Sequence, residues 1–394
     1  MGTKDSRSSL SIALQESLDE AKRNGLYRLP ELFLCKKKNK KLGPFVDFSS
    51  NDYLGLSHHP EVIRRSVLAL RRWGTGSAAS RLLSGNLKVH ADLEKKIAHF
   101  KHEQTSTVFS SGYLANLGAI RTLVGEKDVV ILDRLCHASL IDGARLSRAK
   151  LLVYEHCSVG DLKKILGRSR RYRRRLVVTD AYFSMDADVA PIPELLAVCR
   201  AHDAILMVDE AHSTGVYGRT GRGLLEHFNL EGGQVPVVTG TLSKSLGSVG
   251  GFIAGNRELK DSVINFCRPY IYTTAPSPAA SGAALAAIQV LEQSSGCLKK
   301  LWANTRLARR GLEALRLDLM GSQGPIIPVR VGSSAKVMRI KALLKELGIF
   351  TSAIRPPSVR LGTERIRLSI SAAHSPAQIG HLLSCIKKIR KYFS

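Results

Sequence analysis

Apolar residues come in short runs separated by longer amphipathic stretches. Seven runs have the length and composition of buried strands: Thr105-Ser-Thr-Val-Phe109, Asp128-Val-Val-Ile-Leu132, Leu151-Leu-Val-Tyr154, Leu176-Val-Val-Thr179, Ala204 to Val208, Val235 to Val238 and Gly251-Phe-Ile-Ala254. Each is separated from the next by a plausible crossover or connection, which predicts an α/β fold with a mainly parallel seven-stranded sheet between helices. Upstream, Leu10, Ile12, Leu14 and Leu18 mark an amphipathic helix, followed by a basic turn and a short strand, Phe45-Val-Asp-Phe48. Downstream, the Ala-rich stretch 277–292 reads as a long helix leading to a smaller unit. That unit carries strands near 325–331 and 365–370 and two amphipathic helices near 335–347 and 376–393. The expected organisation is an N-terminal arm over 1–49, a large α/β domain over 50–288 and a small α+β domain over 289–394.

Polar residues gather where the strand runs end, and ligands of open α/β sheets collect at the carboxyl ends of strands. Phe109 is followed by Ser110-Ser111-Gly112-Tyr113, Leu132 by Asp133 to His137, and Thr179 by Asp180 to Ser184. Val208 leads into Asp209-Glu-Ala-His212, and Val238 into Thr239-Gly-Thr-Leu-Ser-Lys244. Read alone, Lys244 is a solvated loop lysine and Ser111-Gly112 an ordinary helix cap. Together they have a chemical meaning. Pyridoxal phosphate needs a Lys to hold it covalently and a carboxylate to keep its ring nitrogen protonated. It also needs donors around its phosphate, which a Ser-Gly turn at a helix start supplies. Lys244, Asp209, His212 and the Ser111-Gly112 turn are the candidates for these tasks.

Bulk properties narrow the picture further. The chain has 394 residues, 44% of them apolar, an ordinary globular composition with no run suited to a membrane span. Its start lacks the apolar core of a signal peptide. Seven cysteines (35, 136, 157, 199, 267, 297 and 385) are scattered and never closely paired, which predicts free thiols in a reducing cytoplasm and no metal site. The net charge of +26 is unusual and is concentrated in residues 36–41 and 168–175. No nucleic-acid-binding motif accompanies it, so nucleic acid is not the expected partner. A basic rim that attracts an anionic substrate carrier is the alternative to a set of solvated faces.

Longer motifs carry a resemblance. FSSNDYLGLSHHP (48–60), GTGSAASRLLSGN (74–86), FSSGYLAN (109–116), DRLCHASLIDGARLS (133–147), VDEAHSTGVYGRTGRG (208–223), TGTLSKSLG (239–247) and AIRPPSVRLGTERIRLSISAAHS (353–375) follow one another in the order seen in the α-oxoamine synthases. The chain resembles that family, pyridoxal-phosphate enzymes of fold type I, from about Asp19 to its end. The resemblance implies catalytic roles for Lys244, Asp209, His212 and His137, the last stacking on the cofactor ring. It implies cofactor contacts from Ser111, Gly112, Tyr113, Ser184 and Thr241, with Thr273 and Thr274 reaching in from a second subunit of a homodimer. Arg28, Asn51, Arg355 and Ser358, with His137, are the implied substrate contacts. Ala353-Ile-Arg-Pro-Pro357 is similar to the branch that condenses L-alanine with a pimeloyl thioester, carried by coenzyme A or acyl-carrier protein, in biotin synthesis. A glycine-using branch that takes acetyl-CoA is the alternative. The chain departs from the family pattern at Cys136, Asp180 and Arg360, and at Ala78 and Ala79, where glycine is frequent.

Overall fold

The computed structural model describes residues 8–31 and 45–393. Its strands are β1 (Val46–Asp47), β2 (Thr105–Phe109), β3 (Val129–Asp133), β4 (Lys150–Tyr154), β5 (Arg175–Asp180), β6 (Ile205–Asp209), β7 (Val237–Thr241), β8 (Gly251–Gly255), β9 (Ile326–Arg330), β10 (Ile349–Phe350), β11 (Ser352–Ile354) and β12 (Arg365–Ser369). The helices that matter most for the site are α1 (Ser9–Arg23), α2 (Pro60–Trp73), α3 (Lys88–Phe100), α4 (Gly112–Leu123) and α5 (Ala138–Ser147). Among the described residues no helix is long and apolar enough to cross a membrane.

The seven expected runs form one sheet in the order β2-β8-β7-β6-β5-β3-β4. β3 to β7 are parallel to one another, and β8 runs antiparallel to β2 and β7 on either side of it. Strand alternation splits the core between the two faces. Val129, Ile131, Val177, Leu206 and Val208 point into one apolar cluster, and Val130, Leu132, Leu176, Val178 and Met207 into the other. Burial on both faces explains why the strands read as continuous apolar runs. β4 differs from expectation: it is the sheet edge, and Lys150 and Val153 are exposed.

A second sheet, β11-β12-β9, is antiparallel and packs with helices Gly296–Ala314, Ser334–Glu346 and Pro376–Lys388 around a third apolar cluster. β1 pairs with β10, which ties the end of the N-terminal arm to this C-terminal unit. α1 forms where the pattern places it, with Ser8 as its cap. Its stripe of Leu10, Leu14 and Leu18 stays exposed, with nothing among the described residues packed over it.

The basic stretch 36–41 lies outside the described residues. The stretch 168–175 is partly spent on structure: Arg173 pairs with Asp128 at 2.9 Å, Arg175 with Asp203 at 2.9 Å, and Arg174 donates to the Leu123 carbonyl. These residues sit at the amino ends of β3 and β5. The residues expected to do chemistry sit at the carboxyl ends, so this cluster does not rim them.

Candidate active site

β5 and β6 end side by side, with Asp180 in register with Asp209 and both residues buried. The Asp209 carboxylate accepts from Asn116 Nδ2 at 2.7 Å and from the Ala211 amide at 2.8 Å. Asp180 accepts from the His137 amide at 2.9 Å. Burial and the neighbouring charge of Asp209 push the Asp180 carboxyl well above the usual carboxylate range. Asp180 is therefore driven toward its neutral form. Asn116 also donates to Ser139 Oγ at 2.9 Å, and Ser139 Oγ bonds His137 Nδ1 at 2.8 Å. One side-chain path thus links Asp209 to His137.

Lys244 lies in the turn after β7. Leu242 N and Thr241 Oγ1 both donate to the Gly250 carbonyl at 2.9 Å, which closes the turn. Gly247 has φ +59°, and a Cβ there would lie 2.3 Å from the Ser57 amide nitrogen, so both conformation and space require glycine. Burial pushes the Lys244 ammonium down to about 8; Arg367 acts in the same direction, while Asp209 and Asp180 oppose it. An amine shifted this far is poised to act as nucleophile and base.

His212, three residues after Asp209, is buried, and its Nδ1 meets the Tyr53 hydroxyl at 2.8 Å. Burial, helped by Lys244 and Arg367, holds its imidazole well below its ordinary value, so the ring is neutral. Arg367 is buried in turn. It donates to the Ser184 carbonyl at 2.8 Å, Ser369 Oγ at 2.9 Å and Asn51 Oδ1 at 3.0 Å.

The start of α4 forms an anion cradle. Ser111 caps it through the Leu114 amide at 3.2 Å, and the amides of Gly112 and Tyr113 have no partner among the described residues. Small residues let it settle onto the sheet: a Cβ on Gly251 would come within 2.5 Å of the Gly112 nitrogen, and one on Gly112 within 3.1 Å of Thr241 Cβ. Tyr113 is exposed, donates to Asp142, and stands edge-on to His137 with ring centroids 6.5 Å apart. A cavity of about 640 Å³ opens beside these groups, lined by His137, Asp180, Phe183, Ser184, Ser358 and Arg360 among others.

The structure thus places Lys244 in electrostatic contact with Asp209, His212 and His137. Arg28, Arg355 and Ser358 form a separate junction with the N-terminal arm. Arg28 donates to Ser358 Oγ at 3.5 Å, and Arg355 donates to the carbonyls of Gly25 and Tyr27. Of the three, Ser358 reaches the cavity wall. Thr273 and Thr274 sit in a loop beside the exposed Tyr272, and Thr274 makes an isolated bridge to Ser80. Asn116, Tyr53 and Arg367 escape sequence reasoning. Asn116 had one usable signal, its place one helical turn after Gly112.

This donor set fits pyridoxal phosphate. There is a buried carboxylate for the ring nitrogen, a helix start beside Thr241 for the phosphate, a neutral His212 for the phenolic oxygen and a lysine of lowered pKa for the aldehyde. The class I and II aminotransferase family matches residues 44–386, and the chain belongs to it, with the architecture of fold type I pyridoxal-phosphate enzymes. Among curated relatives, the 8-amino-7-oxononanoate synthase of Cellvibrio japonicus is 45% identical over 351 residues, covering 88% of this chain and 86% of the relative. Among solved structures, a Sphingomonas wittichii serine palmitoyltransferase superposes with a TM-score of 0.90 at 32% identity, covering 99% of both chains. The 8-amino-7-oxononanoate synthase of Francisella tularensis gives 0.76 at 29% identity, covering 88% of this chain and 98% of that one.

Proposed function

We propose that the chain catalyses the decarboxylative condensation of L-alanine with a pimeloyl thioester, the reaction of an 8-amino-7-oxononanoate synthase. The observation that carries this reading is the Lys244, Asp209, His212 and His137 constellation in a chain 45% identical to a curated enzyme of that name. The net reaction joins alanine Cα to the thioester carbonyl carbon, with loss of the thiol and of carbon dioxide.

When bound, pyridoxal phosphate supplies an aldehyde for the amino group and an electron-withdrawing ring. The protein's part is to hold and steer it. Asp209, fixed by Asn116, would keep the ring nitrogen protonated through its opposite charge. His212, fixed by Tyr53, would bond the phenolic oxygen. Ser111, Gly112, Tyr113 and Thr241 would hold the phosphate, with Thr273 and Thr274 of a second subunit; the exposed Tyr272, Leu83 and Val249 support a partner covering that face. Lys244 would anchor the cofactor and, once displaced by alanine, take the Cα proton. His137 would lie over the ring, and Ser184 beside it.

Substrate contacts follow the same logic. Asn51, Arg28, Arg355 and Ser358 remain the proposed carboxylate and acyl contacts, and a guanidinium fork suits a carboxylate. The acyl chain would occupy the 640 Å³ cavity, whose apolar Leu135, Ile141, Phe183 and Val359 suit methylenes. Arg134, at the same cavity, is already paired with Glu155, whereas the Arg360 guanidinium has no ion-pair partner among the described residues. A free cation there suits the terminal carboxylate of a pimeloyl chain. The test is product formation: L-alanine and pimeloyl-CoA should yield 8-amino-7-oxononanoate by mass spectrometry. Lys244→Ala should abolish both product and the cofactor's visible absorbance, and turnover in that variant would overturn the assignment.

A further inference from the structure

His156 stands outside the constellation above but touches both loops that shape its cavity. Its Nδ1 lies 2.8 Å from Asp133 Oδ1 and its Nε2 2.7 Å from Asp188 Oδ2. Asp133 ends β3 and opens the turn to His137: its carboxylate also accepts from the Leu135 amide at 2.8 Å and the Cys157 amide at 2.8 Å. Asp188 closes the other turn, where the Phe183 amide donates to its carbonyl at 3.0 Å across the loop that carries Ser184. The Phe183 ring meets His156 edge-on, centroids 4.5 Å apart at 87°. From the opposite side, Arg365 donates to Met185 O and Asp186 Oδ1 at 2.9 Å, and Arg367 to Ser184 O at 2.8 Å.

We propose that His156, clamped between Asp133 and Asp188, is a positioning residue that sets the distance between the His137 loop and the Ser184 loop. Both ring nitrogens face carboxylate oxygens, and only a doubly protonated imidazole can donate at both. Burial opposes that charge, but the bonds to Asp133 and Asp188 outweigh it and raise the ring to about 12. The other titratable group against the ring is the Cys157 thiol, 3.6 Å away. A neutral replacement leaves two carboxylates facing each other across one side chain, and their repulsion would spread the loops. Ligand atoms of Asp133, His156 and Cys157 come within 4.8 Å of one another, a spacing that could also hold a metal. A metal there would have to displace one of the protons that bond Asp133 and Asp188, so the clamp reading is favoured.

The inference rests on the cavity being the reaction centre, and its test separates the two. In His156→Gln holoenzyme, cofactor stoichiometry should stay near one per chain while kcat falls about 10- to 100-fold, the cost of a reacting group displaced by roughly 1 Å. Adding Asp188→Asn should recover part of the loss, because it removes the repulsion. Independently of substrate, 15N NMR of wild-type holoenzyme should show both His156 nitrogens protonated at pH 9. A kcat within twofold of wild type, measured well below the variant's unfolding temperature, would overturn the proposal. So would a neutral His156 tautomer at pH 8, or activation by stoichiometric zinc. Should His156→Gln fail to fold, Asp188→Asn alone should lower kcat several-fold, and an unchanged kcat would again refute the role.

Discussion

The lowered pKa of Lys244 makes a quantitative demand on how the apoprotein captures its cofactor. An amine attacks an aldehyde only when neutral, so the capture rate at a given pH follows the neutral fraction. With the ammonium at about 8 instead of 10.5, that fraction at pH 7 is about 9% against about 0.03%, a gain of roughly 300-fold. The capture rate should therefore rise about tenfold from pH 6 to 7, then level off above pH 8. Stopped-flow absorbance on apoprotein mixed with pyridoxal phosphate reads this directly, with free lysine as the reference amine. Asp209 and Asp180 favour the charged form of Lys244, whereas Arg367 disfavours it. Arg367→Gln should thus move the midpoint upward and slow capture at pH 7. A wild-type midpoint near 10, or one that Arg367→Gln leaves in place, would show that burial and Arg367 do not tune the lysine.

Three further outcomes follow from the same structure. Lys101→Met removes the cation bonded to the fully buried Glu210 just behind Asp209, and should lower unfolding free energy by about 3–5 kcal/mol in chemical denaturation. Glu103 is buried and raised from 4.5 to about 7 by desolvation, so the native state binds more protons than the unfolded chain between those values and stability falls as pH rises through them. Glu103→Gln should then stabilise the protein by up to about 3 kcal/mol at pH 8 and change little at pH 4, with thermal melts at both pH values as the check. Arg360→Gln should raise KM for pimeloyl-CoA about tenfold, a charged hydrogen bond's worth, and leave KM for heptanoyl-CoA unchanged in steady-state assays.

Much of the large sheet was legible because its strands are buried on both faces and flanked by turn chemistry. Lys244, Asp209 and Ser111 were legible because each follows such a strand. The order of strands was not: β8 enters between β2 and β7, and no local pattern announces an antiparallel insertion. β12 shows a different limit. Arg365, Arg367 and Ser369 alternate with Ile366 and Leu368, the pattern of a strand with one face in water. Both arginines are instead buried, their charge met by carbonyls of the 184–185 loop and by Asp186. Asn116, Tyr53 and His156 act through Ser139, Asp209, His212, Asp133 and Asp188, 23 to 159 positions away, and a single sequence does not record such pairings. Ala78 illustrates the reverse case, a departure whose consequence appears only in the backbone: it adopts φ +57°, where glycine would be unstrained.

The central claim is the pairing of alanine with a pimeloyl thioester, and a substrate matrix tests it most directly. Purified holoenzyme would be assayed with alanine, glycine and serine against pimeloyl-CoA, acetyl-CoA and palmitoyl-CoA, reading kcat/KM for each pair. The account predicts the highest value for alanine with pimeloyl-CoA, at least tenfold above every other pair. A maximum for glycine with acetyl-CoA, or for serine with palmitoyl-CoA, would contradict it.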